Sequence, residues 1–308
     1  KTDPWDHVES AMALNLAGYE PQARLAFQWL AGKQLEDGSW YSSYRQDQPE
    51  DRTRDTNQSS YIAVGVFHDY LLHQDLAFLR QMWPVVEAAL EFALRYQAPG
   101  GEIYWALSPE GRLDHMALLT GSSSVFMSIK CGLAIARRLR IEKPAWREAF
   151  IRLKEAISLR PHSFNMTKSR YAMDWFYPIL TGAVTGAQAH RRVLKHWSKF
   201  VVQSHGVLCV SDQPWVTIAE TAELVIALSA LGNYTLARIV FCWILDRVFE
   251  DSTYWAGYTY RDMVIWPEDK ITWTNAGVLL AADALEELTP ASRLFSHAFW
   301  EAEASATV

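Results

Sequence analysis

Apolar residues return at the 3.6-residue period of a helix through most of the chain. Ala11, Leu14, Leu16 and Ala17 form one such face, and Val85, Val86, Ala89, Leu90, Ala93 and Leu94 form another. Glycine turns and aromatic loops interrupt the pattern, and the interruptions repeat. His7-Val-Glu-Ser-Ala-Met-Ala-Leu-Asn-Leu-Ala-Gly is followed by Ala23-Arg-Leu-Ala-Phe-Gln-Trp29 and by Glu36-Asp-Gly-Ser-Trp-Tyr41. Far along the chain, Ile218-Ala-Glu-Thr-Ala-Glu-Leu-Val-Ile-Ala-Leu is followed by Leu231-Gly232, Ala237-Arg-Ile-Val-Phe-Cys-Trp243 and Glu250-Asp-Ser-Thr-Tyr-Trp255. The order is helix, glycine turn, helix, loop in both places, the signature of a two-helix repeat. Further pairs are predicted over residues 56–72 and 76–97, 122–139 and 145–158, 175–185 and 187–202, and 274–288 and 290–302.

Six pairs make an all-α chain of twelve helices, read as one (α/α)6 barrel, or toroid, over residues 1–308. The first helix of each pair is rich in Ala, Gly, Ser and Leu and suits an inner position packed on all sides. The second carries the Arg, Lys and Glu of an outer ring. Pro84, Pro144 and Pro290 are expected in first helical turns. Both chain ends lack an obvious polar cap, which favours a closed ring over an open solenoid. β-structure is expected only as short pieces in loops, for example near Glu102–Trp105.

Composition changes this picture in one respect. Trp 14, Tyr 13 and Phe 13 are more aromatic rings than a helical core needs, and each indole brings an N–H that wants a partner. Stacking surfaces in a ligand pocket account for part of the excess. The formal net charge of -6 comes without basic blocks, so no nucleic-acid partner is expected. Cys131, Cys209 and Cys242 are odd in number and lie in apolar stretches, as free thiols do. No basic-then-apolar leader and no membrane-length apolar run stand out, and a cytoplasmic location is expected.

The chemistry is expected at the loops that lead into the inner helices: Trp5–Glu9, Arg52–Gln58, Leu119–Ser124, Met173–Pro178, Pro214–Glu220 and Ile265–Trp273. Five of these six carry a carboxylate and four a tryptophan. Asp6, Asp55 and Asp174 suit helix caps. Glu9 and Glu220 fall inside the first turns of otherwise apolar helices, where a carboxylate is uncommon unless paired or facing a wet cavity. Glu268 and Asp269 have no capping duty. Paired carboxyls amid aromatic walls suit glycoside cleavage, in which one carboxyl gives a proton to the leaving oxygen and the other activates water or attacks the sugar.

The candidate catalytic groups are therefore Glu220, Asp55, Glu268, Glu9 and Asp174, with Glu220 as the acid and Asp55 or Glu268 as the base. Burial beside Trp215 is expected to favour the protonated form of Glu220. Trp5, Trp40, Trp105, Trp175, Trp215, Trp266 and Trp273 are candidate sugar-stacking rings. His7, Arg54, Asn57, Gln58, Glu223, Asp269 and Asn275 are candidate hydroxyl partners. His7 and Glu9 stand two apart with no metal-binding motif around them, so neither a metal nor a cofactor is expected. The expected partner is a small saccharide or glycoside.

The whole chain resembles the six-hairpin (α/α) toroids. Glu220-Thr-Ala-Glu-Leu-Val-Ile-Ala-Leu-Ser-Ala-Leu-Gly-Asn-Tyr-Thr-Leu-Ala-Arg and Pro267-Glu-Asp-Lys-Ile-Thr-Trp-Thr-Asn-Ala-Gly are most similar to the glucoamylase-like glycoside hydrolases, and that likeness implies a catalytic role for Glu220. Gln34-Leu-Glu-Asp-Gly-Ser-Trp40 resembles the Q-x-x-x-G-x-W repeat of triterpene cyclases, with Asp251–Trp255 as a degenerate echo. The Asp-x-Asp-Asp motif of those cyclases and the zinc ligands of protein prenyltransferases are not evident. A terpenoid or prenyl enzyme and a non-catalytic carbohydrate-binding toroid stand as alternatives to a glycosidase.

Overall fold

The computed structural model describes residues 1–305. The chain falls into two compact units, Lys1–Met166 and the remainder from Thr167. The first unit holds α1 (Pro4–Leu16), α2 (Glu20–Gly32), α3 (Thr56–Ser60), α4 (Ile62–His73), α5 (Leu76–Arg95), α6 (Leu119–Leu139) and α7 (Pro144–Leu159). The second holds α8 (Ala172–Leu180), α9 (Gly186–Phe200), α10 (Ile218–Ala230), α11 (Tyr234–Cys242), α12 (Thr272–Glu286) and α13 (His297–Ser305).

The division into inner and outer helices follows the composition. In the first unit α4 packs against α1, α5 and α6, and it is buried from Ile62 through Leu71. α6 has the length and apolarity of a membrane span, yet 72% of its most apolar window is buried within the fold, as in a core helix. α5 and α7 bury one stripe each: Val86, Ala89, Leu90 and Ala93 in α5, and Trp146, Ala149, Leu153 and Ala156 in α7. In the second unit every residue of α10 is buried, between α8 and α12. α9 inserts only Ala189, Val193 and Phe200.

Two expectations need correction. Pro84 lies well inside α5, whose start is capped instead by the Asp75 carboxylate accepting from the N–H groups of Ala77 and Phe78. The sixth pair does not continue as one helix after Pro290: residues Pro290–Phe295 form a 3₁₀ turn before α13. Strands are also more numerous than expected, although each is short. β1 (Ser43–Arg45) pairs with β2 (Gln48–Asp51), and β3 (Arg54–Asp55) joins β4 (Tyr104–Leu107) and β5 (Leu113–Ala117). In the second unit β6 (Val201–Val202), β7 (Gly206–Leu208), β8 (Trp215–Thr217), β9 (Gly257–Thr259) and β10 (Val264–Ile265) form an antiparallel sheet in the order 10-9-8-7-6.

A recurring device pins four of the loops to the inner helix that follows. A polar side chain early in the helix accepts a backbone N–H from the loop: Ser59 from Trp40 at 3.3 Å, Ser122 from Ile103 at 3.3 Å, Thr221 from Val207 at 2.9 Å and Asn275 from Tyr254 at 3.1 Å. The Gln34–Trp40 segment adds a clamp. Gln34 Nε2 donates to Gly38 O at 3.0 Å and to Val85 O at 2.9 Å, tying the loop after α2 to α5. The same clamp recurs where no tryptophan marks it: Gln97 Nε2 donates to Gly101 O and Ala149 O, both at 2.9 Å. Gly38 and Gly101 both have left-handed φ, +92° and +96°, and a Cβ would stand 2.1 and 2.4 Å from the carbonyl oxygens of Ala88 and Arg152. The cyclase-like motif is thus a helix-to-loop fastening in this chain. Asp251–Trp255 shares its turn alone: Asp251 accepts from Thr253 N across Ser252 (φ +68°), as Asp37 accepts from Ser39 N across Gly38.

These contacts separate two glycines by mechanism. Gly232 also has positive φ, +76°, but nothing lies within 4 Å of its Cβ position. Gly232→Ala should cost about 1 kcal/mol, and Gly38→Ala about 3 kcal/mol because backbone must move as well. Urea midpoints of the two variants test this, and equal shifts would contradict the clamp geometry.

Candidate active site

In the first unit the site is built on the start of α1. Asp3 is the N-cap: its carboxylate accepts from Asp6 N at 2.9 Å, and Pro4 opens the helix. Asp6 is thereby freed from the capping duty suggested by its position. Its carboxyl is raised to about 8, first by burial, then by the charge of Asp3, a hydrogen bond between the two carboxyls and the charge of Glu9. Two carboxyls this close cannot both ionise cheaply, so Asp6 keeps a proton at neutral pH. Glu9, one turn on, is 4% exposed and accepts from the Tyr61 hydroxyl at 2.7 Å. The Tyr61 ring stacks on Trp5 at 4.4 Å and 8°.

Asp55 caps α3, accepting from Asn57 N at 2.7 Å and Gln58 N at 3.0 Å. Burial raises it to about 6 against the pull of those two N–H groups, and the charge of Asp3 adds to the rise. Asp3 is thus felt by Asp6 and Asp55 alike. Asn57 Oδ1, Gln58 Oε1 and Trp105 Nε1 are buried without a hydrogen-bond partner among the described residues. Thr56 Oγ1 donates toward Tyr104 O and Trp105 O, and Asp55 pairs with Ala106 across β3 and β4. Two acceptors without partners follow Asp55 in the chain, and an indole donor without one lies on the strand paired with it, groups that suit a ligand rich in hydroxyls.

Other candidates of this unit are already engaged. Trp40 is 1% exposed, and its indole donates to Leu30 O at 2.7 Å. Arg54 pairs with Asp37 at 2.7 Å. His7 shares a 2.8 Å hydrogen bond with Ala26 O and is lowered by burial, so its ring fastens α1 to α2.

In the second unit β8 runs directly into α10. Glu220 lies in the first turn of that helix, 7% exposed, and Glu223 follows on the next turn, also buried. The Cys209 thiol next to them is pushed up strongly by burial, then by the charge of Glu220 and a hydrogen bond to it, and by Glu223. Thr217 Oγ1, at the N-cap of α10, is buried without a partner among the described residues. Trp215 donates its indole N–H to Trp266 O at 2.7 Å, and the two rings meet at 5.2 Å and 70°.

Asp174 is buried in the first turn of α8, but the Arg192 guanidinium donates to the Asp174 and Trp175 carbonyls at 2.7 Å each. Trp175 is core: it stacks on Phe200 at 5.4 Å and donates to Arg192 O. Glu268 and Asp269 are exposed in the loop before α12, and Trp273 is half-buried in its first turn. Asn275 is committed to Tyr254 N and Ile271 O. Among the described residues no group of three or more His, Cys, Asp or Glu has the arrangement to hold a metal ion.

Asp3 and the raised Asp6 were absent from the sequence candidates. The available signal was Pro4: proline at the first helical position assigns the cap to Asp3 and releases Asp6. Stability should report the proton. Between pH 4 and about 8 the native chain holds a proton on Asp6 that the unfolded chain has released, so wild-type stability falls as pH rises through that window. Asp6→Asn removes this term. Its melting temperature should gain on wild type steadily from pH 4 to pH 8, and a difference that stays flat with pH would count against the raised carboxyl.

No protein-family model matches the chain. It is 46% identical, over 96% of its own length and 81% of the relative's, to the MMP endo-(1,4)-3-O-methyl-alpha-D-mannosidase of Mycolicibacterium hassiacum. Among solved structures it resembles the GH63 mannosylglycerate hydrolase of Thermus thermophilus in complex with glucose, at 11% identity and a TM-score of 0.70, over 90% of this chain and 92% of that one. An uncharacterized conserved protein from the same organism gives a TM-score of 0.71 at 12% identity, over 89% and 91% of the two chains. These distant likenesses show the fold, and the 46% relative shows the family. The chain belongs to the family of the Mycolicibacterium endo-mannosidase and is a glycoside hydrolase of the six-hairpin (α/α)6 toroid superfamily.

Proposed function

We propose that this glycoside hydrolase cleaves internal α-(1,4) links of a mannose chain carrying 3-O-methyl groups, with Asp6 as the proton donor. The substrate class follows the mannosidase with which it shares 46% of its residues. The observation that carries the chemistry is the carboxyl of Asp6, raised to about 8 by burial and by Asp3. An acid at a glycosidic oxygen must hold its proton near neutral pH. Asp6 gives that proton to the oxygen as the bond to the anomeric carbon breaks. A second carboxylate takes a proton from water or bonds the anomeric carbon. Asp55, in the same unit and likewise under the charge of Asp3, fills this part in the proposal, and the acid role first read into Glu220 passes to Asp6. Burial and the charge of Asp3 keep Asp6 protonated, and Asn57, Gln58 and Trp105 bind sugar hydroxyls through the polar atoms that lack partners. The reading treats residues 1–308 as one catalytic domain acting in the cytoplasm.

Hydrolysis of α-(1,4)-linked 3-O-methylmannose oligosaccharides tests it. Asp6→Asn and Asp55→Asn should each lose about 10³-fold in kcat/KM. On an aryl oligosaccharide whose leaving group needs no proton, Asp6→Asn should recover much of its rate and Asp55→Asn should not. Wild-type activity should fall as pH rises through about 8, where Asp6 loses its proton. Turnover of none of these substrates by wild type overturns the substrate assignment. Near-normal activity of Asp6→Asn overturns the acid.

A further inference from the structure

The hairpin of β9 and β10 carries an apolar surface that the core does not use. Trp266 is 62% exposed, and Val264 and Met263 beside it are 55% and 37% exposed. Arg261 and Asp262 border them and are also exposed. Scattered exposed apolar residues need no explanation, but a cluster containing an indole does.

This cluster is built rather than loose. The Trp215 indole lies across the neighbouring strand, so close that a Cβ on Gly257 would stand 2.6 Å from Trp215 Nε1 and 2.7 Å from Val216 O. Only glycine leaves room for the ring there. Trp215 Nε1 then donates to Trp266 O, which fixes the backbone beneath the exposed ring. The two indoles meet edge to face, leaving the outer face of Trp266 open. Trp215 to Glu220 is five residues, a span of at most roughly 17 Å if fully extended. The platform thus stands within a few sugar rings of Glu220.

We propose that Trp215 and Trp266 form a stacking platform for sugar rings of the substrate chain, with Trp266 making the enzyme prefer long chains. The proposal rests on the endo-acting reading above. A pyranose presents an apolar C–H face to an indole, and an O-methyl group enlarges the apolar surface available for contact. The ring is rigidly supported, so little side-chain freedom is lost when it binds.

Titration calorimetry with the shortest and longest of a graded series of α-(1,4)-linked 3-O-methylmannose oligosaccharides tests the platform. Wild type, Trp266→Ala and Trp266→Phe are compared. Wild type should bind the longest chain at least about tenfold more tightly than the shortest, and Trp266→Ala should lose most of that gain. Trp266→Phe, which keeps an aromatic face, should restore most of it. A length-dependent gain that survives in Trp266→Ala, or no gain in wild type, overturns the proposal. So does a wild type that dimerises through this face while Trp266→Ala is monomeric. Binding is read apart from turnover, so wild type that binds by length but cleaves none of the series defeats the assigned reaction and leaves the platform standing.

Discussion

An inner helix begins where there is little water to satisfy its first N–H groups, and much of this chain follows from that constraint. The two helix starts that carry the acids of the first unit solve it with a carboxylate. Asp3 serves α1, and Asp55 serves α3. A carboxylate placed for capping also brings negative charge into a partly buried region. At α1 the next acid, Asp6, stands against its own cap and keeps a proton. Structural capping and a raised acid thus come from one local arrangement.

The second unit meets the same constraint differently. α10 begins without a side-chain cap, and its N-cap hydroxyl, Thr217 Oγ1, is buried and vacant. Glu220 sits in the first turn, where the helix dipole favours a negative charge. The two carboxyls differ in setting: Asp6 is raised by burial and then by Asp3, and Glu220 is seated at a helix start. The loops before α3 and α10 are held by the bonds from Trp40 N to Ser59 and from Val207 N to Thr221, so Asp55 and Glu220 rest on fixed backbone.

The helical pairs were legible because burial on one or on all sides writes itself into the spacing of apolar residues. Val86, Ala89 and Ala93 need no partner to be recognised, whereas the face read through Ala11, Leu14 and Ala17 is only partly right, since Leu14 and Ala17 are exposed and α1 buries Val8, Ala11 and Met12. Strands of two or three residues carry no such period, so the sheet of β6–β10 was invisible beforehand, and with it the support of Trp266. The Gln97 clamp was hidden because its motif lacks the tryptophan that makes Gln34–Trp40 stand out. Trp40 and Trp175 looked like ligand surfaces because an indole in a loop or first turn is ambiguous until its N–H is seen to be spent on Leu30 O or Arg192 O. Asp6 was missed because a raised carboxyl is a property of a pair and its burial, and a single position shows neither.

Direct titration of the Asp6 carboxyl tests whether it is a neutral acid at physiological pH. In protein labelled with ¹³C at aspartate Cγ, the resonance that disappears in Asp6→Asn can be assigned and followed with pH. A midpoint near 8 is the predicted result. A midpoint in the ordinary aspartate range, near 4, would contradict the account and leave Asp6 an ionised neighbour of an ordinary helix cap.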